Sequence, residues 1–111
     1  EAYAIMTSSP ALDGRDPDLQ AWITDTGVAT ISADNLAVEA IPSTPAPKPS
    51  TALPLHELCL FKLGVHLGEL WNLGPLAAWL RENGRSRFLL TAPPLRIPGA
   101  VGSPANGLAT V

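Results

Sequence analysis

The residues best suited to chemistry lie in one stretch, LPLHELCLFKLGVHLGELWNL (residues 53–73), which holds both histidines, the single cysteine and Glu69. His56 falls in the first turn of a predicted helix, and Glu69 follows beyond a Gly64 that should end it. A helix dipole favours a neutral imidazole at such a position, which suits a metal ligand or a general base, and a carboxylate one strand later can face the same pocket. On spacing alone the plainer reading leads: a half-buried histidine capping a helix and a solvated glutamate.

The remaining candidates are weaker. Strand alternation puts His66 and Glu69 on opposite faces, so His66 reads as partly exposed or structural. Cys59 lies on an apolar helical face between Leu58 and Leu60, where a thiol is more often inert packing than a nucleophile, and no Cys-x-x-Cys zinc spacing accompanies it. In PGAVGSP (residues 98–104) the backbone amides around Gly102 and Ser103 could bind an oxyanion, but no Gly-Lys-Ser or Gly-Lys-Thr follows and a surface turn is the simpler reading. Asp34 and Asn35, at a strand end, fit either a ligand crevice or a turn. Trp22, Trp71 and Trp79 read as core anchors.

These side chains need elements to hold them. Ala4, Ile5 and Met6 suggest a short strand ended before Pro10. In GRDPDLQAWITDTG, Asp16 is placed to cap a helix, Pro17 to begin it and Gly27 to end it, with Leu19, Trp22, Ile23 and Thr26 on one face. The β-branched run at residues 28–34 predicts a strand beneath that helix. Pro42, Pro45, Pro47, Pro49 and Pro54 make residues 41–52 an extended loop. A helix over residues 53–63 follows, with Leu55, Leu58, Cys59 and Leu63 as its apolar stripe, then a short strand after Gly64. Pro75 and Gly84 bound another helix, residues 88–92 predict a buried strand ended by Pro93 and Pro94, and GLATV a terminal one. The order favours an α/β layered domain, a mixed sheet with flanking helices.

The 111 residues suit one small domain, and 46% apolar content suffices for a core. Seven Lys and Arg, never clustered, against a net charge of −3 leave no footprint for nucleic acid or an anionic membrane surface. No apolar run reaches the length of a membrane span. A lone cysteine forms no intrachain disulfide, which favours a reducing compartment such as the cytoplasm.

Taken in order, the motifs resemble the C-terminal half of the cyclase family of metal-dependent hydrolases, which includes bacterial kynurenine formamidases (arylformamidases) and isatin hydrolases. SPALD, LQAWITDTGVA and ADNLAVE resemble the family's Ser-Pro-Gly-Leu, its Trp-bearing helix with Gly-Val-Ala, and its Ala-Asp-Asn-x-Ala-Val-Glu. LPLH with GELWNL resembles the Leu-Pro-x-His helix and the Gly-Glu segment, and the TAPPLRIPGAVGSP run resembles the closing Ala-Pro-Leu strand and Gly-Ser-Pro loop. The resemblance covers essentially the whole chain. It implies the C-terminal part of a swivelling β/β/α-type fold, and places His56 and Glu69 at a metal centre as ligands or as acid/base groups.

Two departures bear on what the resemblance implies. The loop carrying Gly102 and Ser103 reads Gly-Ala-Val-Gly-Ser-Pro where the family usually has Gly-Gly-Thr-Gly-Ser-Pro, which weakens a substrate role for it. The family's main metal motif, His-x-Gly-Thr-His-x-Asp, belongs to the N-terminal half and is absent from these residues. His56 and Glu69 fall short of the three protein ligands of a catalytic zinc. The resemblance therefore implies a portion of a hydrolase of amides, formamides or lactams, inactive by itself. It would be completed by an N-terminal half and by zinc or manganese, and would work as a homo-oligomer on a small-molecule substrate. The other reading is a non-catalytic domain of the same fold that serves assembly or ligand binding.

Overall fold

Asp16 starts the first helix as its residue type predicts: its carboxylate accepts the Asp18 N–H at 2.9 Å, and Pro17 takes the first helical position, where no N–H is needed. In the computed structural model, which describes Ala4 and residues 8–111, this helix α1 spans Pro17–Thr26. It stops at Gly27, whose φ of 65° a side chain would oppose. Ile23 and Leu19 take the inward stripe. Trp22, expected as a core anchor, is left on the outer side and is 54% exposed.

Glu1–Trp71 and Asn72–Val111 are separate compact units. In the first, β1 (Thr30–Ser32) pairs in parallel with β2 (His66–Gly68), Thr30 opposite His66 and Ser32 opposite Gly68. Parallel neighbours need a crossover. Here it consists of the proline-rich loop, a single α-turn α2 (Pro54–His56) and a π-helical segment, Glu57–Leu63. The predicted stop at Gly64 holds, with φ 70° and its N–H bonded to the Cys59 carbonyl. The π geometry departs from the expected α-helix. Glu57 and Lys62 are five residues apart, which an α-helix would set roughly 140° apart around its axis; the wider turn brings them into a 2.7 Å ion pair. Ile23, Leu55, Cys59 and Val65 form the buried core, with Leu19, Val28, Ile31, Leu58 and Leu67 packed against it.

In the second unit, α3 (Gly74–Glu82) precedes an antiparallel ribbon of β3 (Leu89–Thr91) and β4 (Leu108–Thr110). Arg85 lies 5.3 Å from the Trp79 ring centroid, a cation–π contact. β3 is not the buried strand expected at residues 88–92: Leu89 is 64% exposed, and among the described residues β3 pairs with β4 alone.

The described residues thus form a small mixed α/β fold, with short helices and two small sheets where a single layered sheet was expected. The strands are only three residues long. Past Thr91 the β3 pairing survives only as a single antiparallel bridge, Pro94 opposite Ala105, since proline has no N–H for the ladder, and Leu70, with φ 57°, turns the chain just past β2. Of the strand predicted at Ala4, Ile5 and Met6, Ala4 is helical and the other two lie outside the described residues. Among the described residues no helix is long and apolar enough to cross a membrane.

The proline-rich loop has neither helix nor strand, as its composition predicts, but Arg15 pins it. The guanidinium donates to the carbonyls of Thr44 and Thr51 and to Ser43 Oγ, tying both ends of the loop to the start of α1. Arg15→Ala should cost about 1–2 kcal/mol and make residues 43–51 exchange amide hydrogens and be cleaved by protease much faster than the core. Unchanged exchange there would show that the clamp holds nothing.

Candidate functional site

Glu39 ends the apolar run Leu36-Ala37-Val38, and its side chain is fully withdrawn from solvent. A buried carboxylate must collect donors. It does so at the start of α2: Oε2 accepts the Leu55 N–H at 3.0 Å, and Oε1 accepts the His56 N–H at 3.0 Å. These are orphan amides of a helix start whose cap residue, Leu53, makes no side-chain cap bond. Nδ1 of His56 lies 2.8 Å from the same Oε1. Oε1 already accepts one amide, so the assignment that satisfies this contact puts the proton on Nδ1, donated to Oε1.

The opposite nitrogen completes the array. Nε2 of His56 stands 3.0 Å from Oε1 of Glu69, in the turn just after β2, with the two side chains 25% and 33% exposed. The sequence-predicted pair is therefore in direct contact. Glu39, His56 and Glu69 form a carboxylate–imidazole–carboxylate chain, closed at the Glu39 end and open to solvent at the Glu69 end. With Nδ1–H spent on Glu39, the Nε2 contact requires a positive charge between nitrogen and oxygen, either a proton or a cation in its place.

Glu39 is the site residue that the sequence reading did not single out. One signal was present: a lone acid in LAVEAI, flanked on both sides by apolar residues, must either turn outward or be buried on donors.

The other candidates are placed elsewhere. His66 is exposed and pairs through its backbone in β2. Asp34 is exposed. Asn35 is engaged as a brace: Oδ1 accepts the Val38 N–H at 2.8 Å, Nδ2 donates to the Pro10 carbonyl at 3.0 Å, and its main-chain carbonyl accepts the Leu70 N–H at 3.0 Å. In the second unit, Ser103 Oγ accepts the Leu95 N–H and donates to the Pro104 carbonyl, both at 2.8 Å, so it closes a turn beside Gly102. Among the described residues no group of three or more His, Cys, Asp or Glu could hold a metal ion.

Backbone strain flanks both carboxylates. Val38, with φ 62°, precedes Glu39, and Leu70, with φ 57°, follows Glu69. Neither side chain favours the left-handed region, and Asn35 bonds to both residues.

No family model, no curated protein and no solved structure matches the chain.

Two predictions follow from this geometry. Leu70 is 58% exposed, so truncating it loses little packing. Leu70→Gly should hold or raise the melting temperature by relieving about 1–2 kcal/mol of left-handed strain, whereas β-branched Leu70→Ile should lower it; equal effects of the two would exclude strain.

The second concerns Cys59, whose thiol is pushed above its ordinary value of 9.0 by burial and, next, by the negative charge of Glu39. Folding favours the protonated thiol. That contribution is complete below 9.0 and lost as the pH rises through the raised folded value. Thermal melts should therefore show an alkaline decline in the wild type that is smaller in Cys59→Ala, and thiol reagents should label Cys59 only as fast as the protein opens.

Proposed function

We propose that the chain supplies the proton-transfer half of a hydrolase site that cleaves an amide, formamide or lactam C–N bond. The contact between His56 Nε2 and Glu69 Oε1, oriented and partly open to solvent, carries this reading. The resemblance to the cyclase family, with its swivelling β/β/α fold, supports it from the sequence side.

The donors have the chemistry of a zinc or manganese site, imidazole nitrogen and carboxylate oxygen, and the imidazole already has the carboxylate partner on its far nitrogen that metal-bound histidines use. The count is short, because Glu39 spends its lone pairs on Leu55 and His56. His56 and Glu69 would hold the ion together with ligands from an N-terminal half of the enzyme or from a neighbouring copy. When bound, the ion supplies a water acidified toward neutral pH and a polarised carbonyl.

The chain's own residues would then do the following. Glu69 orients the attacking water and takes its proton as oxygen bonds to the carbonyl carbon. Where the ion is held without His56, Nε2 takes that proton across the 3.0 Å contact and gives it to the nitrogen that leaves as the C–N bond breaks; an Nε2 bound to the ion serves as a ligand instead. Glu39, 2.8 Å from Nδ1, keeps the ring oriented while it carries the extra proton.

Assembly is part of the proposal. In the unit Asn72–Val111, Leu89, Leu95 and Leu108 are all exposed, which fits a chain completed by a second half and by copies of itself. Buried, unpaired Cys59 fits the cytoplasm as the working compartment.

In the complete enzyme, His56→Ala or Glu69→Ala should remove most turnover of formyl-aromatic or cyclic amides, about a hundredfold or more, with the fold retained by circular dichroism. Near-normal turnover in both variants would rule the assignment out.

A further inference from the structure

An imidazole offers two nitrogens, and which one faces a reactant depends on what holds the other. In this chain the holding group is remote in sequence and specific in position. Glu39 grips His56 twice, at the main-chain N–H and at Nδ1, both through Oε1, while Oε2 holds the preceding residue's N–H. The backbone and the ring of His56 are thus fixed by one group. Rotation of the ring about its Cβ–Cγ bond would place a carbon against Oε1 and forfeit the 2.8 Å contact.

The seat of that carboxylate is built to admit nothing else. Gly14 is buried, and a Cβ there would overlap Glu39 Oε2 and come 2.8 Å from Pro54 Cγ. Gln20 of α1 fixes this glycine by donating to its carbonyl at 2.6 Å. Leu12 bridges to the strand-like end of the Glu39 segment, its N–H on the Val38 carbonyl at 3.1 Å and its carbonyl accepting the Ala40 N–H at 2.9 Å. Glu39 is therefore walled by Gly14 on one side and by the α2 start on the other.

We propose that Glu39 is the positioning residue of this site, its buried carboxylate holding Nδ1–H of His56 so that Nε2 is the only imidazole nitrogen presented to Glu69, to a substrate or to a metal ion. Glu39 touches no reactant. It acts through His56, and Gly14 is required because only a residue without Cβ leaves the carboxylate its place. The assignment rests on the reading of His56 as the site's working imidazole, but its test does not need turnover.

The test is the ring nitrogens themselves, in the full-length chain labelled with 15N and observed by long-range 1H–15N correlation, with His66 assigned by His66→Gln as the exposed internal reference. In the wild type, His56 Nδ1 is expected to carry a proton directed at Glu39 Oε1. Glu39→Ala should abolish that fixed state while the His66 pattern stays put; Gly14→Ala should displace the carboxylate and move the His56 signals the same way.

An unprotonated Nδ1 in the folded wild type overturns the proposal, and that arm needs no variant to fold. A folded Glu39→Ala protein with an unchanged His56 ring overturns it as well. Adding Zn2+ or Mn2+ separates the two readings: an Nε2 signal untouched by either ion and a complete enzyme without hydrolysis would defeat the hydrolase reading, yet leave a persistent Nδ1–H and the positioning role standing.

Discussion

Burying the Glu39 carboxylate is the constraint on which the rest of the first unit depends. An ionised group withdrawn from water is tolerated only when its lone pairs are met, and removing one partner of such an arrangement typically costs about 3–5 kcal/mol. The partners come from residues far apart in the chain: the α2 start supplies two amides and an imidazole, and Gly14 supplies room. The helix start gains in turn. Leu53 cannot cap it, so the carboxylate answers amides that would otherwise be orphaned, and a negative charge meets the positive end of the dipole. The local helix dipole that the sequence suggests as the influence on His56 is thus already met by a carboxylate in direct contact with the ring.

That constraint accounts for how much of the fold was legible. α1 could be read residue by residue, because Asp16, Pro17 and Gly27 act on their own backbone neighbours. Gly64 was legible for the same reason. The strands were located but overextended, since β-branched composition does not report where a neighbouring ladder runs out. The π-helical turn was missed because an apolar stripe with a 3.6-residue period does not distinguish it from an α-helix over seven residues. Burial at residues 88–92 was misjudged since an apolar run says that a surface wants cover, not that this chain provides it.

The site was legible in the same uneven way. His56 and Glu69 stood out as a polar pair around a helix stop, and the structure brings them to 3.0 Å. Glu39 did not stand out, because its role lies entirely in tertiary contacts that cross the proline-rich loop. Asn35 fitted a crevice or a turn equally well in the sequence, and its side-chain hydrogen bonds go to the backbone of Pro10 and Val38. A polar side chain at a strand end is ambiguous until its partners are known.

The two left-handed residues show why these contacts belong together. Val38 and Leu70 each hold an unfavourable backbone conformation beside one of the carboxylates, and such conformations persist only where surrounding bonds over-determine them. Asn35 provides that excess for both, and Leu12 adds to it at Val38. If the two glutamates were merely surface acids near a histidine, a regular backbone would serve at both places and no brace would be needed. The strain is explained when Glu39 must point inward at one imidazole nitrogen while Glu69, from a different strand end, must meet the other. The chain bends sharply at two points to bring two carboxylates onto opposite edges of one ring.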